Sequence, residues 1–168
     1  MKALVVACLL AGSLAGCAGY RIGEVKPRYL TEIHSIAVPT FTNKTYLPRI
    51  EVLLTDTVIK QLQQDGTFQI VSEGKADAVL KAEIRGVGRN PARSVRGNVL
   101  ATTEFNLNIT VRYTLTTRDG KVIVGPVDVS GTTSFFVGSD VATDQRQALP
   151  LAAEDVAVHL TSQLSEGW

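Results

Sequence analysis

The sequence predicts an α+β fold, a two-layer sandwich in which two helices pack on one face of a mainly antiparallel mixed sheet. Three observations favour it. Between Thr103 and Thr116, apolar and polar residues alternate, which is typical of a strand with one buried and one wet face. Apolar residues recur at helical spacing in residues 49–64 and again at about 143–164. Because further strand signals precede, separate and follow these stretches, the predicted element order is β-α-β-β-β-β-α.

The remaining strands are predicted from short β-branched or alternating runs at residues 33–38, 68–71, 76–85 and 122–136. An Asp-Gly turn signal precedes the last of them. Pro126 predicts a break or bulge there and favours an edge position. The first helix is predicted to bury Ile50, Leu53, Leu54, Val58 and Leu62, and the second Leu149, Ala153, Val156, Leu160 and Leu164.

The amino-terminal segment has the pattern of a bacterial lipoprotein signal. Residues 3–16 are uncharged and rich in Leu, Val and Ala, and they are too few to span a bilayer, which takes about 20 apolar residues. They end in Leu-Ala-Gly before Cys17, which resembles the lipobox, where the cysteine thiol is acylated and becomes the first residue after cleavage. We therefore expect a signal peptide at residues 1–16, a lipidated tether at 17–31 and one domain at 32–168. Two or three acyl chains would make the anchor effectively permanent.

Composition and motifs argue against several function classes. The chain has 17 basic and 16 acidic residues and a net charge of +1, which favours no nucleic-acid partner. Phosphate-loop, dinucleotide and serine-nucleophile motifs are absent, and no residues have metal-ligand spacing. His34 and His159 stand alone in the sequence and are interpreted as structural; they would be the best candidates for a hydrolase. We expect no catalytic residues, no cofactor and no metal.

Basic residues collect in one segment. Four arginines fall within twelve residues, namely Arg85, Arg89, Arg93 and Arg96. No acidic residue occurs between Glu83 and Glu104, and the glycines and proline of the segment predict a long loop. Guanidinium groups pair well with phosphate or carboxylate, so the segment is either an anion-binding site or a solvated hairpin tip. If the last three strands form a meander, Arg118 and Lys121 make the opposite end of the sheet basic as well.

Several motifs resemble one known family. They are Cys17-Ala18-Gly19-Tyr20 after the lipobox, Ile36-Ala37-Val38-Pro39 followed by Phe41-Thr42-Asn43-Lys44-Thr45, the helix LTDTVIKQL, the strand opening Ala76-Asp77-Ala78-Val79-Leu80, and the late helix AEDVAVHLTSQL. Together they resemble the lipopolysaccharide-assembly lipoprotein LptE family over nearly the whole mature chain.

The resemblance implies a role without enzymatic activity. An LptE-like protein plugs the lumen of the outer-membrane barrel LptD, helps that barrel to fold and contacts lipopolysaccharide. Ala18, rather than an aspartate, follows the cysteine, which resembles an outer-membrane address on the periplasmic side. In the family, basic residues near the ends of the sheet contact lipopolysaccharide. By their chemistry we assign this contact to Arg85, Arg89, Arg93 and Arg96 first, and to Arg118 and Lys121 second.

An alternative class has a similar beginning. Lipoprotein regulators and secretion-pore components, of the kind represented by penicillin-binding-protein activators and the curli pore, also pass from a lipobox into a strand and loop of the type IAV-P-F-N. The protein that copurifies with the chain distinguishes these classes from an LptD partner.

Overall fold

Two helices lie on one face of a mixed sheet in the computed structural model, which describes residues 26–95 and 98–167. The strands are β1 (Ser35–Ala37), β2 (Thr42–Asn43), β3 (Gln69–Ile70), β4 (Ala78–Val95), β5 (Asn98–Thr117) and β6 (Val122–Phe136). The helices are α1 (Ile50–Asp65) and α2 (Val141–Ser165). The predicted α+β sandwich is confirmed. The predicted signal peptide, Cys17, most of the predicted tether and Arg96 lie outside the described residues.

The sheet combines short parallel pairings with a long antiparallel meander. Its strand order is β3-β1-β4-β5-β6, and β2 pairs with β4 beyond the end of β1. The pairs β1–β3, β1–β4 and β2–β4 are parallel, whereas β4–β5 and β5–β6 are antiparallel. The two-residue strand β2 lies outside the strands that the sequence predicts. Its pairing with β4 provides partners for backbone groups that would otherwise lie at an open edge.

Strand β5 alternates as predicted. The side chains of Leu107, Ile109, Val111, Tyr113 and Leu115 are buried against the helices, and the residues between them are partly exposed. The Tyr113 hydroxyl donates to Gln163 Oε1 on α2 at 3.0 Å. Burial of the ring raises the pKa of Tyr113 to about 12. The strand thus has one apolar face for the core and one polar face on the other side of the sheet.

The residues that the sequence predicts to be buried in the two helices are buried, with one exception. Leu53 of α1 is half-buried, and Thr55 takes a buried position beside it. The Thr55 hydroxyl donates to Glu51 O at 2.6 Å and accepts from Phe41 N at 3.0 Å, so it satisfies a backbone amide inside the protein. All five predicted residues of α2 are buried. Asp140 begins α2 by accepting from Ala142 N, an ordinary helix cap.

Helix α2 lies unusually close to β6. A Cβ atom built on Gly131 would lie 2.6 Å from Ala152 O and closer still to Val156 N, so only glycine allows this approach. On either side of it, Asp155 Oδ2 accepts from Thr132 N at 2.8 Å, and His159 Nδ1 donates to Ser130 O at 2.9 Å. These bonds occupy part of the outer edge of β6. They agree with a structural role for His159.

The predicted long loop after residue 85 is wrong. Strand β4 continues to Val95 and pairs with β5 as far as Val95↔Asn98, with several bulges on the way. The cause is non-local, because pairing here gives β5 backbone groups partners that a loop would leave to water. Pro91 is tolerated because, among the described residues, β1 and β2 pair with the other edge of β4 only up to Ile84.

The other turn and the last strand agree with the sequence. Gly120, with φ 84°, lies in the β5–β6 turn. The pairing of β6 jumps from Leu115↔Val124 to Tyr113↔Val127 around a cis Gly125–Pro126 bond, and β6 is an edge strand. The predicted bulge and edge position are confirmed.

The described chain enters the domain at the end where β4 begins. Lys26 Nζ donates to Ile33 O at 2.8 Å and lies 4.5 Å from the centroid of the Phe68 ring. A short 3-10 turn follows at Arg28–Leu30, and Leu30 is fully buried. The last residues of the predicted tether therefore pack on the domain. Within the described ranges, no helix is long and apolar enough to cross a membrane.

Candidate functional site

The described candidate residues lie at the two ends of the meander. Arg85, Arg89 and Arg93 lie on β4 from its middle to near its end. We call residues 85–95 of β4 and residues 98–110 of β5, which pair with them, the arginine hairpin. Arg118 and Lys121 lie at the opposite end, in and just after the β5–β6 turn. This placement agrees with the sequence analysis, although the hairpin is a strand pair rather than a loop.

Arg89 is held on the helix side of the hairpin. Its Nη1 donates to Gln145 Oε1 on α2 at 2.9 Å, and its guanidinium carbon lies 5.4 Å from the centroid of the Phe105 ring. Phe105 in turn stacks on Phe135 with ring centroids 5.8 Å apart. A cation above an aromatic face is stabilised by the ring quadrupole. Arg89 is therefore an exposed positive charge with a defined position.

Arg85 and Arg93 each lie near one carboxylate. Arg85 Nη1 is 3.3 Å from Glu83 Oε2, and Arg93 Nε is 3.7 Å from Glu104 Oε2. The Arg93 side chain is 72% exposed and that of Arg85 is 47% exposed. Both members of the Arg85–Glu83 pair are exposed, and such pairs contribute little to stability, so an incoming anion can displace Glu83 at small cost. The Glu104 side chain is 15% exposed, so its position beside Arg93 is more fixed.

Arg118 has a structural task at the opposite end. Its Nε and Nη2 donate to Ala76 O at 3.2 and 2.8 Å, which ties the β5–β6 turn to the beginning of β4. Lys121 is exposed beside it. Of the two basic ends, the arginine hairpin carries more of the described candidate cations, Arg85, Arg89 and Arg93. At the other end, Arg118 is bonded to backbone.

The face of the sheet opposite the helices is polar and close to neutral. Arg112 and Asp128 form a forked pair with both N–O distances at 2.7 Å, and this hydrogen bond lowers the pKa of the Asp128 carboxyl. Asn108 Nδ2 donates to Thr132 Oγ1 at 3.1 Å. The predicted wet face of β5 is therefore a surface of hydroxyl, amide and paired charged groups.

A cavity of about 390 Å³ opens between the base of the arginine hairpin and the segment that follows β2. Its lining includes Lys44, Tyr46, Arg85 and Gln145. The sequence analysis missed Lys44 and Tyr46. The available signal was the Asn-Lys-Thr sequence, because an asparagine two residues before a threonine often forms a tight hydrogen-bonded turn that orients its neighbours.

The described residues contain no group of three or more His, Cys, Asp or Glu side chains placed to hold a metal ion. The contact of His34 with a carboxylate is made by its backbone amide, which donates to Asp77 Oδ2 at 3.1 Å.

Fold and site together define a class: a small α+β domain that carries basic side chains on a long hairpin and a polar outer sheet face. A family model described as lipopolysaccharide assembly matches residues 33–164. The chain therefore belongs to the LptE family of lipopolysaccharide-assembly proteins. The family resemblance seen in the sequence is confirmed.

Solved structures with the same fold come from several bacteria. A Xanthomonas campestris protein superposes with a TM-score of 0.56 at 14% identity, covering 85% of this chain and 91% of the other. A minor lipoprotein from Acinetobacter baumannii gives 0.54 at 15% identity, with coverages of 80% and 94%. Lipoprotein B from Nitrosomonas europaea gives 0.54 at 12% identity, with coverages of 88% and 90%. At these identities the likeness supports the fold alone. A comparison with curated protein sequences finds no match.

Proposed function

We propose that this chain is an outer-membrane lipoprotein that acts as plug and assembly partner of an LptD-type β-barrel and contacts lipopolysaccharide during its transport to the outer leaflet. The observation that carries the proposal is the family match over residues 33–164, which covers almost the whole domain. Acylation of Cys17 would anchor the chain on the periplasmic side. The role needs no catalytic group, and we propose none. The same match favours this function over a peptidoglycan-synthase regulator or a secretion pore.

The polar sheet face supports the barrel partnership. A plug inside a barrel meets a wall of alternating polar side chains and water rather than lipid. A face that pairs Arg112 with Asp128 and also carries hydroxyl and amide groups can form hydrogen bonds with such a wall.

The arginine hairpin supports the contact with lipopolysaccharide. The phosphates of lipid A and of the core are bridged by divalent cations in the membrane. Arg85, Arg89 and Arg93 offer guanidinium groups that can replace those cations, since a guanidinium fork pairs bidentately with phosphate. Arg96, outside the described residues, would extend the set. Arg118 and Lys121 remain secondary candidates at the other end.

The first experiment identifies the partner. The full-length chain is purified through a carboxy-terminal tag from detergent-solubilised outer membranes, and copurifying proteins are identified by mass spectrometry. Recovery of a large LptD-type barrel in about equal amount supports the proposal. Recovery of a peptidoglycan synthase, or of a homo-oligomeric ring of this chain, overturns it.

The second experiment tests the hairpin. Arg89, Arg93 and Arg96 are changed together to glutamate, and three exposed cations elsewhere, Arg28, Lys60 and Lys75, are changed to glutamate as a control with the same change in charge. The hairpin variant should bind lipopolysaccharide at least tenfold more weakly, since each charge-assisted hydrogen bond contributes roughly 1.5–3 kcal/mol.

The control variant and salt complete this test. The control should bind like the parent, and the parent should lose affinity between 50 and 300 mM salt, because exposed charges are screened over about 8–10 Å at ordinary ionic strength. Equal weakening in the hairpin variant and the control would show non-specific attraction and refute the hairpin as the site.

A further inference from the structure

We infer that the cavity between the arginine hairpin and the segment after β2 is a binding subsite for a phosphorylated saccharide. We call that segment, residues 43–47, the Asn43 loop. The inference rests on the proposed function and deepens it, because it adds Lys44 and Tyr46, from a different part of the chain, to the arginines of the hairpin.

The Asn43 side chain fixes the conformation of the Asn43 loop through several hydrogen bonds. Asn43 Oδ1 accepts from Thr45 N and from Thr45 Oγ1, each at 2.8 Å. Asn43 Nδ2 donates to Leu47 O at 2.8 Å and to Glu51 Oε2 at 2.9 Å. One side chain therefore holds both ends of the loop and joins it to α1. Lys44 and Tyr46 lie within the stretch of backbone that these bonds fix.

Backbone pairing brings two cations to one side of the cavity. β2 runs parallel to β4 with Thr42↔Glu83 and Asn43↔Ile84, and Lys44 N donates to Ile84 O at 3.1 Å. The next position along β4 is Arg85, so Lys44 and Arg85 lie side by side and both line the cavity. None of the residues that line it is acidic. Glu83 Oε2 lies 3.3 Å from Arg85 Nη1, so a bound anion would take the place of this carboxylate on Arg85 and would also meet Lys44.

The rest of the lining suits a sugar ring better than a bare ion. Tyr46 is fully exposed at the rim, and Leu47 and Val87 form an apolar part of the wall that packs on the core. The side-chain amide of Gln145, already oriented by Arg89, adds a hydrogen-bonding group. An aromatic face beside amide and cationic groups binds molecules with one apolar and one polar side, which describes a pyranose ring that carries phosphate. A volume of about 390 Å³ is sufficient for such a headgroup.

The test uses the full-length chain in detergent and diphosphorylated lipid A in mixed micelles as the probe. Lys44→Ala and Tyr46→Ala should each weaken binding about 5- to 20-fold, and Tyr46→Phe, which keeps the ring, should stay within twofold of the parent. Matched controls are Lys75→Ala and Tyr29→Ala, exposed residues of the same types outside the cavity, and both should bind like the parent. Because all these side chains are exposed, thermal unfolding midpoints should stay within 2 °C of the parent.

Competition separates a saccharide from a phosphate alone. At equal ionic strength, glucosamine 1-phosphate should displace the lipid from the parent at lower concentration than inorganic phosphate or glucosamine. Equal potency of inorganic phosphate and glucosamine 1-phosphate would overturn the saccharide assignment.

The remaining outcomes distinguish this inference from the proposed function. If Lys44→Ala and Tyr46→Ala bind like the parent while the hairpin triple variant does not, the cavity is refuted and the proposed function stands. If the parent binds no lipid A, the inference fails together with the proposed lipopolysaccharide contact. Copurification of the barrel is then an independent measure of the partnership.

Discussion

Replacing Gly131 by alanine should detach α2 from the edge of the sheet. The new Cβ atom would lie 2.6 Å from Ala152 O and closer still to Val156 N, whereas ordinary contacts begin at 3.4 Å, so α2 would have to retreat by at least about 0.8 Å. Overpacking of this kind costs about 1–3 kcal/mol. The retreat also stretches the bonds of Asp155 to Thr132 N and of His159 to the neighbouring carbonyl, each with a net contribution of about 1 kcal/mol.

The expected loss is therefore roughly 3–5 kcal/mol in the free energy of unfolding, or a fall of roughly 10–15 °C in the melting temperature. Urea unfolding followed by circular dichroism measures it. Gly88→Ala is the matched control, because a Cβ there meets no atom within 4 Å and alanine in a strand is more favourable than glycine by about 0.5–1 kcal/mol. If Gly131→Ala unfolded within 1 kcal/mol of the parent, the close approach of α2 to β6 would be wrong.

Two further substitutions test the hydrogen bonds made by the side chains of Asp77 and Thr55. Asp77 Oδ2 accepts from Ser35 Oγ at 2.8 Å and from two backbone amides, which lowers the pKa of this carboxyl below its usual 3.8. The ionised Asp77 therefore stabilises the fold above about pH 4, and this contribution is lost as the pH falls further. Asp77→Asn should make the midpoint of urea unfolding less dependent on pH between pH 4 and 2.5. An unchanged pH dependence in this variant would contradict the hydrogen bonds of Asp77. Thr55→Val leaves the buried amide of Phe41 without its acceptor and should cost about 1–3 kcal/mol in urea unfolding, whereas Thr55→Ser should recover most of it; equal loss in both variants would point to packing instead.

The elements whose buried face repeats along the chain could be predicted from the sequence. In β5, period two places Leu107, Ile109 and Val111 on the core side, and in α2 the spacing of Leu149, Val156 and Leu160 does the same. In each element, the spacing of apolar residues along the chain indicates which face is buried. The prediction therefore needs no knowledge of the elements that pack against it.

The arginine hairpin shows where local patterns fail. Gly86, Gly88 and Pro91 are typical of a loop, and no apolar alternation continues past Val87. The segment is nonetheless extended, because β5 offers pairing groups far beyond the core, and tertiary pairing overrides weak strand propensity. That information lies in the partner strand, and the bulges that set the register leave no signature in the sequence.

The cavity lay beyond sequence reasoning for a related reason. Lys44 and Arg85 meet only because β2 pairs in parallel with the middle of β4, and a strand of two residues has no periodicity to detect. The hydrogen bonds of Asn43 that shape the loop also depend on Glu51 in the following helix. The sequence predicted the arginines as candidate binding residues, but it did not predict that Lys44 and Tyr46 form a cavity with Arg85.

The length of β4 sets a distance between attachment and binding. Lys26 lies beside the first residues of this strand and Arg93 near its last, so the stretch of β4 from Ala78 to Arg93 separates them by at most about 50 Å. A bilayer with its headgroups is only about 40–45 Å thick. If Cys17 is acylated, residues 17–25 can extend at most about 30 Å from it, which keeps the entry end near the inner surface. If the domain inserts with the hairpin first, β4 is then long enough to place Arg93 beyond the far side of the membrane while the end of the domain near Lys26 stays at the inner surface.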